Sequence, residues 1–197
     1  MRERHFTGNK PARHAPRRPL QIGRQTAKMR RMRDGVVAVV FDATKENYLL
    51  VKRRDVPVWV LPGGGIDDGE TPEVSAVREV LEESGFEVEV VRQVAVYTPT
   101  GRLTSETHSF ECAIAGGAPS ISDESMDVKF FPVDTYPPPV FDVHRNWMRD
   151  ALRNEPEIIR KPVEGLDWKG IVKILVRHPV IAIRYLLSRI GIRWNSK

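Results

Sequence analysis

A chain of 197 residues, 41% of them hydrophobic, is long enough for one domain with a substantial core and an extension at either end. Its single cysteine, Cys112, excludes an intrachain disulfide, and no apolar stretch follows the basic start as a secretory leader would require, so a cytoplasmic protein is expected. The net charge of +5 conceals a division: residues 1–33 hold nine Arg and two Lys against one acid, Glu3, whereas residues 34–197 hold 20 basic and 25 acidic residues.

The first 33 residues are rich in Arg and Pro, contain Gly8 and Gly23, and are poor in large apolar side chains, which predicts a disordered arm. Such an arm would contact RNA or an anionic membrane by neutralising phosphates, or would simply solubilise the chain. A near absence of Ser disfavours an organellar transit peptide. The globular part is expected from Asp34 onward. Val36 to Phe41 is an unbroken apolar run dominated by β-branched valine and reads as a strand buried on both faces, with Tyr48 to Lys52 as its neighbour across a polar loop. Arg53 and Arg54 close the second strand and are candidates for contact with an anionic group. Val58 to Leu61 leads to Pro62 and three glycines, Gly63, Gly64 and Gly65, which permit a close backbone approach. Trp59 reads as a core or wall residue, and Asp67 and Asp68 as favourable to the dipole of the helix that follows.

That helix is predicted over Pro72 to Ser84, with Thr71 as N-cap, Pro72 at the first helical position and Gly85 as the left-handed residue past the end. At about 100° per residue, Glu79, Glu82 and Glu83 share one side, and Val74, Val77 and Leu81 are expected to pack on the other. Like charges at this spacing repel. The acidic side is therefore either a solvated surface or a site for a hard cation, for which carboxylate oxygens are suitable ligands.

From Gly64 to Phe86 the sequence resembles the Nudix box of the Nudix hydrolases, G-x5-E-x7-R-E-U-x-E-E-x-G-U with U bulky and apolar. Gly64, Glu70, Arg78, Glu79, Val80, Glu82, Glu83, Gly85 and Phe86 occupy its fixed positions. The resemblance implies an α/β/α sandwich with a mixed central sheet over residues 34–155. It also implies hydrolysis of a diphosphate linkage in a nucleoside diphosphate joined to another moiety, with Mg²⁺ or Mn²⁺ as cofactor. In that reading Glu79, Glu82, Glu83 and the carbonyl of Gly64 hold the metal. Arg78 orients a neighbouring carboxylate, and Glu70 pairs with Arg78. Arg54 and Arg102 are the candidate substrate contacts. The family's acidic loop before a late strand corresponds to Ser122 to Phe131, with Glu124 as candidate base or further ligand and Asp127 behind it.

Glu87 to Val96, His108 to Ile114 and Val128 to Val133 read as strands, and Tyr97 to Thr107 as a loop over the active side. Cys112, within the second of these strands, reads as a small buried hydrophobe. Tyr136 to Pro139 is expected to end the sheet. Asp142 to Asn154 places Val143, Trp147, Ala151 and Leu152 at helical spacing, with His144 structural. Residues 156–197 read as a helical amphipathic extension, apolar from Trp168 to Ile190 but interrupted by cations and by Pro179, which would divide it. Those cations argue against a transmembrane span. The extension would pack on the domain, form a homodimer contact or lie on an anionic membrane. Two other functions compete with the one above: a pyrophosphohydrolase acting on the 5′ end of RNA, suggested by the arm, and a non-catalytic module that senses a nucleotide or docks on RNA or membrane.

Overall fold

The computed structural model describes residues 33–100 and 105–164, together with Val176 and Pro179. Residues 1–32 of the basic arm, Arg102 and nearly all of the extension past Glu164 lie outside the described residues.

β1 (Gly35–Phe41) sits at the centre of a seven-stranded mixed sheet, antiparallel to β2 (Asn47–Arg53) and parallel to β5 (Thr107–Gly117). The order is β3 (Trp59–Val60), β2, β1, β5, β4 (Phe86–Thr98), β7 (Ile159–Pro162), and β6 (Ser125–Pro132) runs along β2. The valine-rich apolar run of β1 is explained by its two covered faces. Val37, Val39 and Phe41 enter the cluster beneath α2 (Asp142–Leu152), with Val143, Met148 and Ala151. Val36, Ala38 and Val40 enter the cluster beneath α1 (Pro72–Ser84), with Ala76 and Val80. Each fully buried valine favours the fold by roughly 1.5–3 kcal/mol over an exposed one. The result is the α/β/α sandwich that the resemblance implies.

Several expectations are corrected. The sheet does not end at Tyr136 to Pro139, because β7 pairs in parallel with Ala95 to Thr98 of β4, so residues 159–162 are strand and not helical extension. Tyr97 is not in a loop: it is buried in β4, and its hydroxyl donates to Asp150 at 2.8 Å. Leu152 is exposed at the end of α2. Of the extension, Val176 and Pro179 have helical backbone and both are exposed.

Two buried acids hold the edges of the fold together. Glu111 on β5 receives Lys45 at 2.6 Å and Arg92 at 2.7 Å, and Arg92 also donates to the Ala151 carbonyl at the end of α2. Asp150 receives the Lys161 ammonium at 2.8 Å, which clips β7 to α2. A buried charge left without its partner is costly, so these are structural pairs. Cys112 is 1% exposed and burial pushes its thiol up to about 12, in keeping with a core hydrophobe and not a nucleophile.

His144 is structural in a specific sense. Its Nδ1 accepts the Leu61 N–H at 3.3 Å, its ring meets Trp147 edge-on, and burial followed by the Arg53 charge brings its pKa down to about 3. Between pH 6.5 and 3 the unfolded chain binds a proton here that the folded chain refuses, so stability falls as pH falls. The slope should approach about 1.4 kcal/mol per pH unit. In urea melts from pH 7 to pH 4, His144→Gln should lose less stability than the wild type; parallel losses would remove His144 as the cause. Among the described residues no helix is long and apolar enough to cross a membrane.

Candidate active site

The acidic helix α1 has the predicted ends. Thr71 Oγ1 accepts the Val74 N–H, Pro72 opens the helix, and Gly85 at φ 76° returns its N–H to the Leu81 carbonyl. Its rotation differs from the prediction. Val74 and Leu81 are 54% and 47% exposed, Val77 is only partly buried, and the face on the sheet is Ser75, Ala76, Val80, Glu83 and Ser84. The reason is steric. Small residues allow α1 to approach the sheet closely, and a Cβ at Gly85 would meet Ser120 Oγ at 2.3 Å. The glutamate side is thereby turned inward, toward the glycine loop.

Gly63 makes that meeting possible. A Cβ there would lie 2.3 Å from the Val36 carbonyl oxygen, so only glycine lets the loop lie against β1. So placed, the Gly63 N–H donates to Glu83 Oε2 at 3.0 Å. Glu83 is 6% exposed, and burial pushes its carboxyl up to about 7 against the pull of the Gly63 N–H. Glu79, also raised by burial, lies against Gly64, where a Cβ would come within 2.5 Å of its carboxylate.

Arg78 organises the outer part. It binds both oxygens of Glu70 at 3.0 Å, donates to Glu79 at 2.9 Å and Glu82 at 3.2 Å, and reaches the Gly65 carbonyl at 3.1 Å. Glu70 also receives the Ser75 hydroxyl at 2.6 Å, and chiefly through Arg78 its carboxyl falls to about 2. One guanidinium thus fastens the loop to the helix. Of Glu79, Glu82 and Glu83, Glu82 is the most exposed.

Residues outside the helix fall into two groups. Glu124 stands on the turn before β6, and its charge contributes to raising both Glu79 and Glu83. Arg53 faces the same cluster: Glu83 and Glu124 both support its charge, and Asp55 holds its guanidinium through two bonds of 2.9 and 2.7 Å. Asp55 carries no sequence signal beyond the +2 spacing from Arg53. Arg54 is placed differently from the expectation. Its Nη2 donates to the carbonyls of Ser122 and Ser125, both at 2.9 Å, so it shapes the Glu124 turn. Asp127 is in β6, paired with Lys129, and not in a loop. Replacing Arg54 by Ala should therefore act through that turn. Susceptibility to cleavage near residues 122–125 should rise in limited proteolysis, and an unchanged digestion pattern would reject this role.

The donor set suits a hard divalent cation, since it offers three carboxylates whose mutual repulsion a cation would relieve, one of them buried. Among the described residues no group of three acidic, His or Cys side chains is already gathered for a metal. Arg78 holds Glu79 and Glu82, and the Gly64 carbonyl already accepts the Val36 N–H at 2.9 Å.

Residues 31–151 match the model of the NUDIX domain. A putative 8-oxo-dGTP diphosphatase of Bacillus subtilis is 42% identical over 83 residues, covering 42% of this chain and 54% of that protein. An ADP-ribose pyrophosphatase of Methanocaldococcus jannaschii is 33% identical over 126 residues, 59% of this chain and 73% of that protein. The chain thus spans only about half the length of the Bacillus relative. Among solved structures, an ADP-ribose pyrophosphatase from Streptococcus suis superposes with a TM-score of 0.54 at 26% identity, over 65% of this chain and 97% of that one.

Proposed function

The chain belongs to the Nudix hydrolase family, and we propose that it hydrolyses the diphosphate linkage of a nucleoside diphosphate joined to another moiety, with Mg²⁺ as cofactor. The observation that carries this reading is the inward-turned acidic face of α1, with Glu83 buried against the Gly63 N–H and Glu79 beside Gly64. A buried carboxylate with a raised pKa, a second beside it and a third at the rim form a site that favours bound positive charge. The names of two relatives, a putative 8-oxo-dGTP diphosphatase and an ADP-ribose pyrophosphatase, support nucleotides with a phosphoric anhydride linkage as the substrate class, and the second is of the proposed kind.

A diphosphate is a poor electrophile because its own oxygens repel a nucleophile. Glu79, Glu82 and Glu83, with the second lone pair of the Gly64 carbonyl, would hold the divalent ion. When bound, that ion neutralises phosphate oxygens and lowers the pKa of a water. The chain's own residues do the rest. Arg78 keeps Glu79 and Glu82 in place from the loop side. Glu124 faces the helix from its turn and takes the proton of the attacking water. Arg53, held by Asp55, offers positive charge to the departing phosphate. Water oxygen bonds to phosphorus, the bridging P–O bond breaks, and the leaving phosphate carries off the electron pair.

The test is a panel of ADP-ribose, sugar nucleotides, dinucleoside polyphosphates, nucleoside triphosphates and triphosphorylated RNA, assayed with Mg²⁺ and with chelator. Metal-dependent release of a nucleoside monophosphate from a member of the first two classes is expected. Turnover confined to RNA would replace the substrate assignment, and turnover of none would end the enzymatic one.

A further inference from the structure

The end of β2 does more than bring Arg53 to the acids. In the pairing of β2 with β6, Lys52 faces Asp127 but Arg53 faces Ser125, so Met126 is an extra residue and forms a bulge. The bulge returns the chain before β6 toward Arg54. There it makes a short turn, Ser122 to Ser125, that carries Glu124 at an exposed position.

An exposed turn ordinarily leaves its backbone to water. This one does not. Arg54 holds the carbonyl side: its backbone N–H donates to the Glu124 carbonyl at 2.8 Å, and its Nη2 donates to the carbonyls of Ser122 and Ser125, each at 2.9 Å. Ser122 holds the amide side, its Oγ accepting the N–H groups of Glu124 and Ser125, both at 3.1 Å. The buried Ser125 hydroxyl closes the ring by accepting the Ser122 N–H at 2.9 Å. The N–H and the carbonyl of Ser122, Glu124 and Ser125 are thus all fixed within the protein. Among the described residues, in contrast, no hydrogen bond or ion pair reaches the Glu124 carboxylate.

A backbone held on both sides beneath a carboxylate that nothing holds fixes the direction of the side chain and leaves its lone pairs open to water. That is what a base needs, since its orientation is then settled before the reaction and its proton-accepting capacity is uncommitted. We propose that Arg54 and Ser122 are positioning residues for the hydrolysis, closing the turn on both sides of Glu124 so that its free carboxylate stands in a fixed direction beside the glutamates of α1. The proposal rests on the reading of Glu124 as the base. It gives Arg54 a role distinct from contact with substrate, because Nη2 is engaged by two carbonyls of the protein itself.

The test joins steady-state kinetics of the full chain, on ADP-ribose with Mg²⁺ or on the panel member turned over in its place, with amide hydrogen exchange. Arg54→Ala should lower kcat by about 10²-fold, the loss expected from misplacing a reacting group by about 1 Å, with KM within about twofold of wild type. Ser122→Ala leaves every charge in place and should lower kcat by about tenfold in the same manner, which carries the test should Arg54→Ala fail to fold. Neither change should slow Glu124→Gln by more than about a further twofold, because the group they direct is then gone. The amides of Glu124 and Ser125 should exchange slowly for an exposed turn in the wild type and quickly in Arg54→Ala. Fast exchange in the wild type would overturn the proposal whatever the activity. So would a raised KM at unchanged kcat, or losses that add fully to that of Glu124→Gln. Wild-type kcat in Glu124→Gln is a separate failure, removing the base itself and with it the proposal.

Discussion

Replacing Glu83 by Gln should lower kcat by about 10²–10³-fold while leaving the melting temperature unchanged or raised. Both parts follow from its position. Glu83 is the helix carboxylate most removed from solvent, and its one described donor is the Gly63 N–H. Its carboxyl rises from 4.5 to about 7, so ionising it in the fold without a cation costs on the order of 3 kcal/mol. Gln keeps the shape and the acceptor for Gly63 but carries no charge, which removes the cost together with the chemistry. A gain in stability coupled to a loss of turnover is the signature of a residue kept for function. The check is kinetics with Mg²⁺ beside thermal melts of the metal-free protein. A variant within about threefold of wild-type kcat would remove Glu83 from the reaction, and one that unfolds would make it structural.

The three glycines before the helix should respond to Ala in three different ways. Gly63→Ala places a methyl 2.3 Å from the Val36 carbonyl, which belongs to the central strand and cannot yield. A loss of about 3–5 kcal/mol is expected, or a melting temperature lower by roughly 10 °C or more. Gly64→Ala meets the Glu79 carboxylate at 2.5 Å, a side chain that can move, so activity should fall further than stability. Gly65→Ala meets nothing within 4 Å and should change stability by less than about 0.5 kcal/mol. Melts and kcat across the series separate backbone fit from displacement of a carboxylate. Equal effects at all three positions would mean that loop flexibility, and not the close approach, is what glycine supplies.

The site was partly legible in the residues. Cap, proline and left-handed glycine define α1 to the residue, because helix ends are set by local hydrogen bonding. Its rotation was not legible. Hydrophobicity would bury Val74 and Leu81, yet the sheet takes the small residues and Glu83 instead. A preference read from the spacing of apolar residues fails here because an acidic side chain is held inward by a loop N–H twenty residues earlier. Arg53 and Arg54 are adjacent and alike in sequence. Only the fold separates them, sending one toward the glutamates and the other to the carbonyls of a turn.

The last strand teaches the same lesson at the other edge. Ile159–Pro162 is too short to announce itself, and it becomes a strand because β4 offers it an open edge and Asp150 a partner for Lys161. By itself the sequence determined the family pattern, the central strands and the ends of the acidic helix, since each depends on periodicity or on neighbours a few residues apart. Tertiary structure alone decided which face of that helix is buried, which arginine meets the acids and how far the sheet extends. Those outcomes depend on backbone approach and charge pairing between segments distant in the chain, and such contacts leave no periodic trace in it.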